Sequence, residues 1–543
     1  MKTKLHGGLS ARALILGLIA CVFITASSLF VALKLGALPW PIVFASILSY
    51  LVLKLLGNTS LSEVNVAHTA MSAGAMVAGG IAFTIPAIWI MNPQAQISWY
   101  SLAASVFIGL IIGLAFSYLL RRQFIEESEL VYPMGEAAAQ TLQSSEAGGK
   151  ELGLLSGSLS FSALFTVLRD ALGIIPQTLF SKLSFLGVPL SLYFSPMLVS
   201  VGYLLGPLAS IALFIGALFG SFAMLGLAVQ FGILELAQAT LLKNSLGIGL
   251  MIGSGLGVLL KAALGLIKRV QRSKGMQALP SKQSGKTRMK KALVTLIICL
   301  TVAILSSFLF HLPFLASLIF IALCGLSCIM ALQSVGQTAI DPMEVFAVVV
   351  VLLIQALWSI QSFEAVLLCC IVAVACGLAG DVMSDFKAGH ILHTKAHDQF
   401  IAECAGAFVG AIVALAAFYA LVHSYGTDIF GPDKQFIAVQ AQIVASTLNG
   451  SLDFIAMLVG IILALILFLA NIPAIMLGLG VYLPLSLSLM VCFGALLRQI
   501  VQKVLKLDED NKQGTIIASG LLGGEAIVGV ILAFLASFGF LLG

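Results

Sequence analysis

Apolar runs of about 20 residues recur from one end of this chain to the other, separated by short polar breaks. Each is long enough to cross a hydrocarbon core as a helix. Barrel strands would be shorter and would alternate apolar with polar positions, which these runs do not. In the first half, runs at 13–33, 38–56, 70–91, 99–120, 152–175, 191–205, 207–228 and 246–267 predict crossings. The second half offers 292–309, 313–331, 343–360, 363–380, 400–421, 452–470, 474–497 and 515–540. The expected fold is an all-α polytopic membrane protein of about 14–16 transmembrane helices, with re-entrant or broken helices lining a central cavity.

Composition supports that solvent assignment: 60% of the residues are hydrophobic and only 9% are charged, too few to cover a water-facing surface. The nine cysteines sit in apolar runs without a CxxC pair, so they read as small buried hydrophobes rather than a disulfide or metal framework. The one long polar segment, Lys268 to Lys291, holds nine Lys/Arg and no acid. The positive-inside rule makes it a cytoplasmic linker, together with an N-terminus that carries Lys2, Lys4 and Arg12. It divides the chain into transmembrane halves 1–267 and 292–543, and an even number of crossings, about eight, fits the first half. A nucleic-acid patch is the weaker reading of the linker, and no nucleic-acid partner is expected.

The halves echo one another. Gly202-Tyr203…Pro207…Ser210 is matched by Gly480…Tyr482…Pro484…Ser486, and the Gly-rich run 247–257 by 514–529. Duplicated halves are the expected build of a secondary transporter, chance likeness between apolar segments being the alternative.

Polar groups interrupt this pattern at a few places. Asn58–Thr69 carries Glu63, Asn65, His68 and Thr69; Glu129–Gln140 carries Tyr132, Pro133 and Glu136; Gln337–Glu344 carries Asp341, Pro342 and Glu344. Non-helical backbone at membrane depth is tolerated where protein buries it or a wet cavity is lined, so these are candidate cavity walls; ordinary interfacial loops are the alternative. Glu235, Glu364, Glu403, Glu525 and the pair Arg169-Asp170 lie inside apolar runs, where a lone charge costs roughly 3 kcal/mol or more unless paired or wetted. Glu525 has nothing basic within a turn of it in sequence. Gly380–His397 is the densest ionisable stretch: Asp381 and Asp385 are four apart, and His390, His393 and His397 follow at i, i+3 and i+7. On a helix those histidines could offer nitrogen ligands to a metal; a wet loop with three unrelated histidines is the preferred reading, and no metal or cofactor is expected. No P-loop, HExxH or GxSxG pattern occurs, so neither directly bound ATP nor an enzyme is expected.

At these residues the chain resembles the oligopeptide transporter family, whose plant branch is the yellow-stripe-like metal-chelate carriers, and most closely its bacterial members. GDVMSDFKAGHILHTKAHDQFIAE (380–403) is similar to the family's GDxMQDLKTGxLxGAxPxxQ block, and SPMLVSVGYLLGP (195–207) to SPxLxGVGYIxGP. GVYLPLSLSL (480–489), SGLLGGEAIVGV (519–530) and ELVYPMGEAAAQTL (129–142) resemble its GxYLPLS, SGLIAGEAxxGV and LPYPxGxAxAEVL blocks. Two blocks depart: His68 stands where ENNIVQT has Gln, and Asp341 and Glu344 are acids added to SSNPxSGMT.

The resemblance implies a secondary active transporter in the cytoplasmic (inner) membrane, importing small peptides or peptide-like metal chelates with protons by alternating access. The alternative is a channel or flippase-like pore without ion coupling. Substrate contact is expected at Glu63, Asn65, His68, Thr69, Tyr132, Tyr203, Asp341, Glu344 and Tyr482. Proton coupling is expected among Glu136, Asp381, Asp385, Glu403 and Glu525. The expected partners are the substrate, protons and the lipid bilayer, with room left for a homo-oligomer.

Overall fold

The computed structural model describes residues 7–537 apart from 36–37, 39–41, 148, 177, 180–183, 186–187, 190–191, 274–296, 298–299, 432–433, 435, 437, 450–452, 471 and 506–511. The described residues are almost wholly helical. The first half runs α1 (Ala11–Leu35), α2 (Ile42–Leu55), α3 (Leu61–Thr84), α4 (Ala87–Met91), α5 (Trp99–Arg121), α6 (Pro133–Ala147) and α7 (Gly149–Thr166). It continues with α8 (Pro196–Leu205), α9 (Pro207–Leu218), α10 (Ala228–Gln230) and α11 (Leu236–Ser273). The second half begins with α12 (Leu300–Leu309). It goes on through α13 (Phe314–Thr338), α14 (Met343–Gln355), α15 (Ser362–Ile391), α16 (Ala396–Tyr425) and α17 (Val439–Asn449). It ends with α18 (Phe454–Leu469), α19 (Ala474–Tyr482), α20 (Leu485–Leu505) and α21 (Lys512–Ser537). Two short antiparallel pairs, Thr178–Leu179 with Leu192–Tyr193 and Ser184–Phe185 with Val188–Pro189, nest between α7 and α8. Among the described residues, nine helices are long and apolar enough to cross a membrane.

α15 is the axis of the fold. Every residue from Ala365 through Phe386 is buried, as expected of a helix that is apolar on all sides. It packs on α3, α5, α6, α13 and α14, while α3, buried from Ser62 to Thr84, packs on α1, α2, α15 and α16. Small residues set these distances. Gly74 on α3 and Gly410 on α16 bring their backbones into contact, and a Cβ on Gly410 would collide with the Gly74 Cα. Gly113 on α5 meets Ala375 on α15 in the same way.

The remaining helices cross reciprocally: α8 packs on α20 and α9 on α19, while α11 packs on α18 and α21 on α7. Gly202 and Gly494 make the first contact, against Val491 and Val199; Gly216 and Gly480 make the second, against Leu477 and Leu213.

The breaks fall partly where the polar stretches put them. α13 ends at Thr338 with Ala339 left-handed at φ 55°, and α14 restarts after Pro342. Tyr132, at φ 49°, precedes α6. Three expectations change, and one alternative reading drops out. The stretch 58–69 is not a break: Ser60 caps α3 by accepting from the Glu63 amide, so Glu63 to Thr69 are the first turns of a continuous helix. The run 363–380 does not end at 380 but carries Asp381 and Asp385 inside α15 as far as Ile391. The run 474–497 is split before Pro484, which cannot donate to a preceding carbonyl. His390, His393 and His397 do not share a helix face: His390 is on α15, His393 is in the connecting turn at φ 57°, and His397 is on α16. All three are exposed, so the alternative reading of a shared metal-binding face is not made. Of the basic linker, 268–273 is the end of α11 and 274–291 lies outside the described residues.

Candidate functional site

Asp381 and Asp385 are one turn apart on α15, and Glu403 faces them from α16. One carboxylate oxygen of each lies within 4.8 Å of the other two. The three residues are 0%, 1% and 1% exposed. Asp381 and Asp385 are ten and six residues before Ile391, which sets them about 9–15 Å inside the helix end at 1.5 Å per residue.

α3 supplies the third wall. His68 Nε2 shares a hydrogen bond with Asp385 Oδ1 at 3.2 Å, and Ser72 Oγ, one turn on, donates to Asp385 Oδ2 at 3.2 Å. Gln399 of α16 donates from Nε2 to the Asp385 carbonyl at 2.8 Å and tethers the two helices. Asp385 is therefore fully held, and its neighbours are not. Among the described residues, both carboxylate oxygens of Asp381 and both of Glu403 lack a hydrogen-bond partner, as do His68 Nδ1 and both amide atoms of Asn65. Among the described residues, His68 is the one ion-pair partner these carboxylates have. Three carboxylates against at most one positive charge in a dry interior need further positive charge. A proton or a metal ion can supply it.

The second group lies at the α13–α14 break. Asp341 Oδ2 faces the backbone of Gly380, next to Asp381 in the chain, and both Asp341 oxygens are buried without partners. Glu344, buried in the first turn of α14, is within electrostatic reach of Asp341 and of Tyr482. The Tyr482 carbonyl accepts from Lys243 Nζ at 3.2 Å. Tyr132 is fully buried beside this break. Its hydroxyl donates to the Leu332 carbonyl at 3.1 Å and its amide to Gly336 at 2.9 Å, satisfying the last turns of α13.

Three other expected residues sit apart from these groups. Glu63 accepts from Arg12 Nε and Nη2, both at 2.6 Å, and from Ser10 and Thr59, tying α3 to the start of α1. Tyr203 stacks under Arg498, which donates to the Tyr203 and Leu204 carbonyls. Glu136 is half-buried near Lys387, whose Nζ donates to the Leu130 carbonyl at 2.7 Å.

Glu525 is not a lone carboxylate. Arg169, 356 positions away in sequence, donates to it at 2.9 Å; Ser195 Oγ and the Met197 amide, at the N-terminus of α8, donate at 2.8 Å. Arg169 also forks onto Asp170 at 2.6 and 2.7 Å and donates to the Phe194 carbonyl at 2.8 Å. Sequence reasoning had passed over Ser72, Gln399 and Ser195. Ser72 had a usable signal, being four residues after His68 on the same face; Ser195, just before Pro196, reads as a helix N-cap.

Ionisable side chains gathered at the buried centre of a polytopic helical membrane protein mark substrate or ion pathways, as in membrane transporters. A family model described as "OPT oligopeptide transporter protein" matches residues 9–536, and the chain belongs to that family. It is also similar to a protein of Haemophilus influenzae (strain ATCC 51907 / DSM 11121 / KW20 / Rd) named "Putative oligopeptide transporter". The two are 26% identical over 602 aligned positions, covering 93% of this chain and 92% of that relative.

Proposed function

We propose that this chain is a proton-coupled secondary transporter that imports small peptides, or peptide-like metal chelates, across the cytoplasmic membrane by alternating access. The observation that carries the reading is the buried set Asp381, Asp385 and Glu403, with four of its six carboxylate oxygens unpartnered. Loading positive charge there neutralises a group that otherwise opposes movement of α15 and α16 through a dry interior. Asp341 and Glu344, at a helix break beside the same turn of α15, contact the substrate. The halves 1–267 and 292–543 act as repeats, a reading supported by the reciprocal packing of α8 on α20 and α9 on α19. The N-terminus and the basic linker face the cytoplasm.

Uptake into proteoliposomes under an imposed pH gradient tests this, with short peptides, metal chelates and free metal compared side by side. Gradient-driven accumulation of one class is expected. Flux that equilibrates every solute and ignores the gradient would mark a channel and end the carrier reading.

A further inference from the structure

We infer that the Asp381–Asp385–Glu403 cluster is also a binding site for a hard divalent cation of the manganese, magnesium or calcium class. The inference rests on the reading of this cluster as the place where positive charge is loaded, and names a second species that can be loaded there.

The geometry is suited to one ion. Ligand oxygens on opposite sides of such a cation, each about 2.1–2.5 Å from it, are about 4.2–5 Å apart. The three carboxylates each offer an oxygen within 4.8 Å of the other two, a span that one such ion can bridge. The donors come from two long helices packed at the centre of the fold, which fixes their spacing.

The state of the donors points the same way. Asp385 is oriented by His68 and Ser72, as metal-binding carboxylates commonly are by an imidazole or hydroxyl behind them. Asp381 and Glu403, at most 1% exposed, have both oxygens free of any hydrogen-bond donor. On the α3 wall, His68 Nδ1 and the Asn65 amide, neither exposed, are also unpartnered. Asn65 is three residues before His68 and shares its face of α3. Two fully buried carboxylates with all four oxygens unpartnered, facing a third that is held in place, are the inventory of a ligand set lacking its centre.

The donor type selects the ion class. Three carboxylate oxygens suit hard cations, whereas soft ions take thiolates or thioethers. Cys21, on the neighbouring α1, is turned to the Gly406 carbonyl at 3.4 Å. A divalent ion leaves the three carboxylates with one net negative charge, which a peptide ammonium balances.

The test is Mn2+ binding to the purified full chain in nanodiscs after stripping with EDTA, read by loss of the free-Mn2+ paramagnetic resonance signal. One saturable site per chain is expected, displaced by Ca2+ or Mg2+. D381N and E403Q should each weaken it by on the order of tenfold or more. D428N, at an exposed surface pair with Lys434, should leave it unchanged. Size-exclusion profiles and thermal unfolding identify a variant that has not folded, and Glu403→Asp, which keeps the charge but shortens the reach, then takes its place with the same expected weakening. No saturable site in the stripped wild type, or equal affinity in folded D381N and E403Q, overturns the inference. Proton-driven uptake in EDTA is measured separately, so a failed metal site and a failed carrier reading give different results.

Discussion

His68 on α3 and Asp385 on α15 are 317 positions apart and meet at 3.2 Å with neither side chain reaching solvent. The contact joins the two most deeply buried helices at the level where Asp381 and Glu403 wait without partners. A donor to a buried charged acceptor is worth about 1.5–3 kcal/mol. His68→Ala should therefore lower the unfolding midpoint measurably and weaken substrate uptake. His68→Gln, the residue usual in the family's block, keeps a donor and should recover most of both. Thermal unfolding in detergent beside uptake at fixed substrate checks this pair.

Arg169 offsets two carboxylates at once, Asp170 and Glu525, with 2% of its side chain exposed. Removing it leaves buried negative charge, at a cost of about 3–5 kcal/mol. Glu525→Gln leaves Arg169 paired with Asp170 and keeps an acceptor on the α8 N-terminus. Arg169→Ala should then be much the more destabilising of the two, as read by thermal unfolding. Equal loss in both would assign the network's stability to Glu525 instead.

Gly410 and Gly153 make a contrasting pair. A Cβ on Gly410 strikes the Gly74 backbone, whereas nothing lies within 4 Å of one on Gly153. Gly410→Leu should abolish the monodisperse folded peak in size-exclusion chromatography, because overpacking a helix contact costs about 1–3 kcal/mol or more. Gly153→Leu should retain it.

Asp341 and Glu344 are acids at a helix break rather than in the central cluster. Their neutralisation, Asp341→Asn with Glu344→Gln, should raise the apparent KM for peptides bearing basic side chains more than for neutral ones. Dependence on the proton gradient should persist. Competition assays with a peptide panel separate these effects.

The helical membrane class was legible in the run lengths, because a bilayer imposes a length and an apolarity that no soluble helix needs. Breaks at Ala339–Pro342 and before Pro133 were legible from Pro and Gly chemistry. The polar start of α3 was not: Asn58 to Thr69 looks like a loop because its side chains are polar on all faces, yet Ser60 caps it and the protein interior, not lipid, surrounds it. The extension of α15 through Asp381 and Asp385 was hidden for the same reason, since hydropathy charges them as if they faced hydrocarbon. Partners such as Arg169 for Glu525 are separated by most of the chain, and no local pattern announces them. Asp381, Asp385, Glu403 and His68 were each candidates from sequence. That they converge, and that Glu63, Tyr203 and Glu525 do not join them, required the packing of α3, α15 and α16.

Peptide-triggered acidification of the lumen of proteoliposomes, followed with an entrapped pH-sensitive dye, tests the central claim most directly. With no preset gradient, adding an inward peptide gradient to wild-type vesicles should drive protons in with the peptide and acidify the lumen. Folded D381N and E403Q should lose that signal while still exchanging labelled for unlabelled peptide. Acidification that persists undiminished in both variants would contradict the assignment of coupling to this cluster.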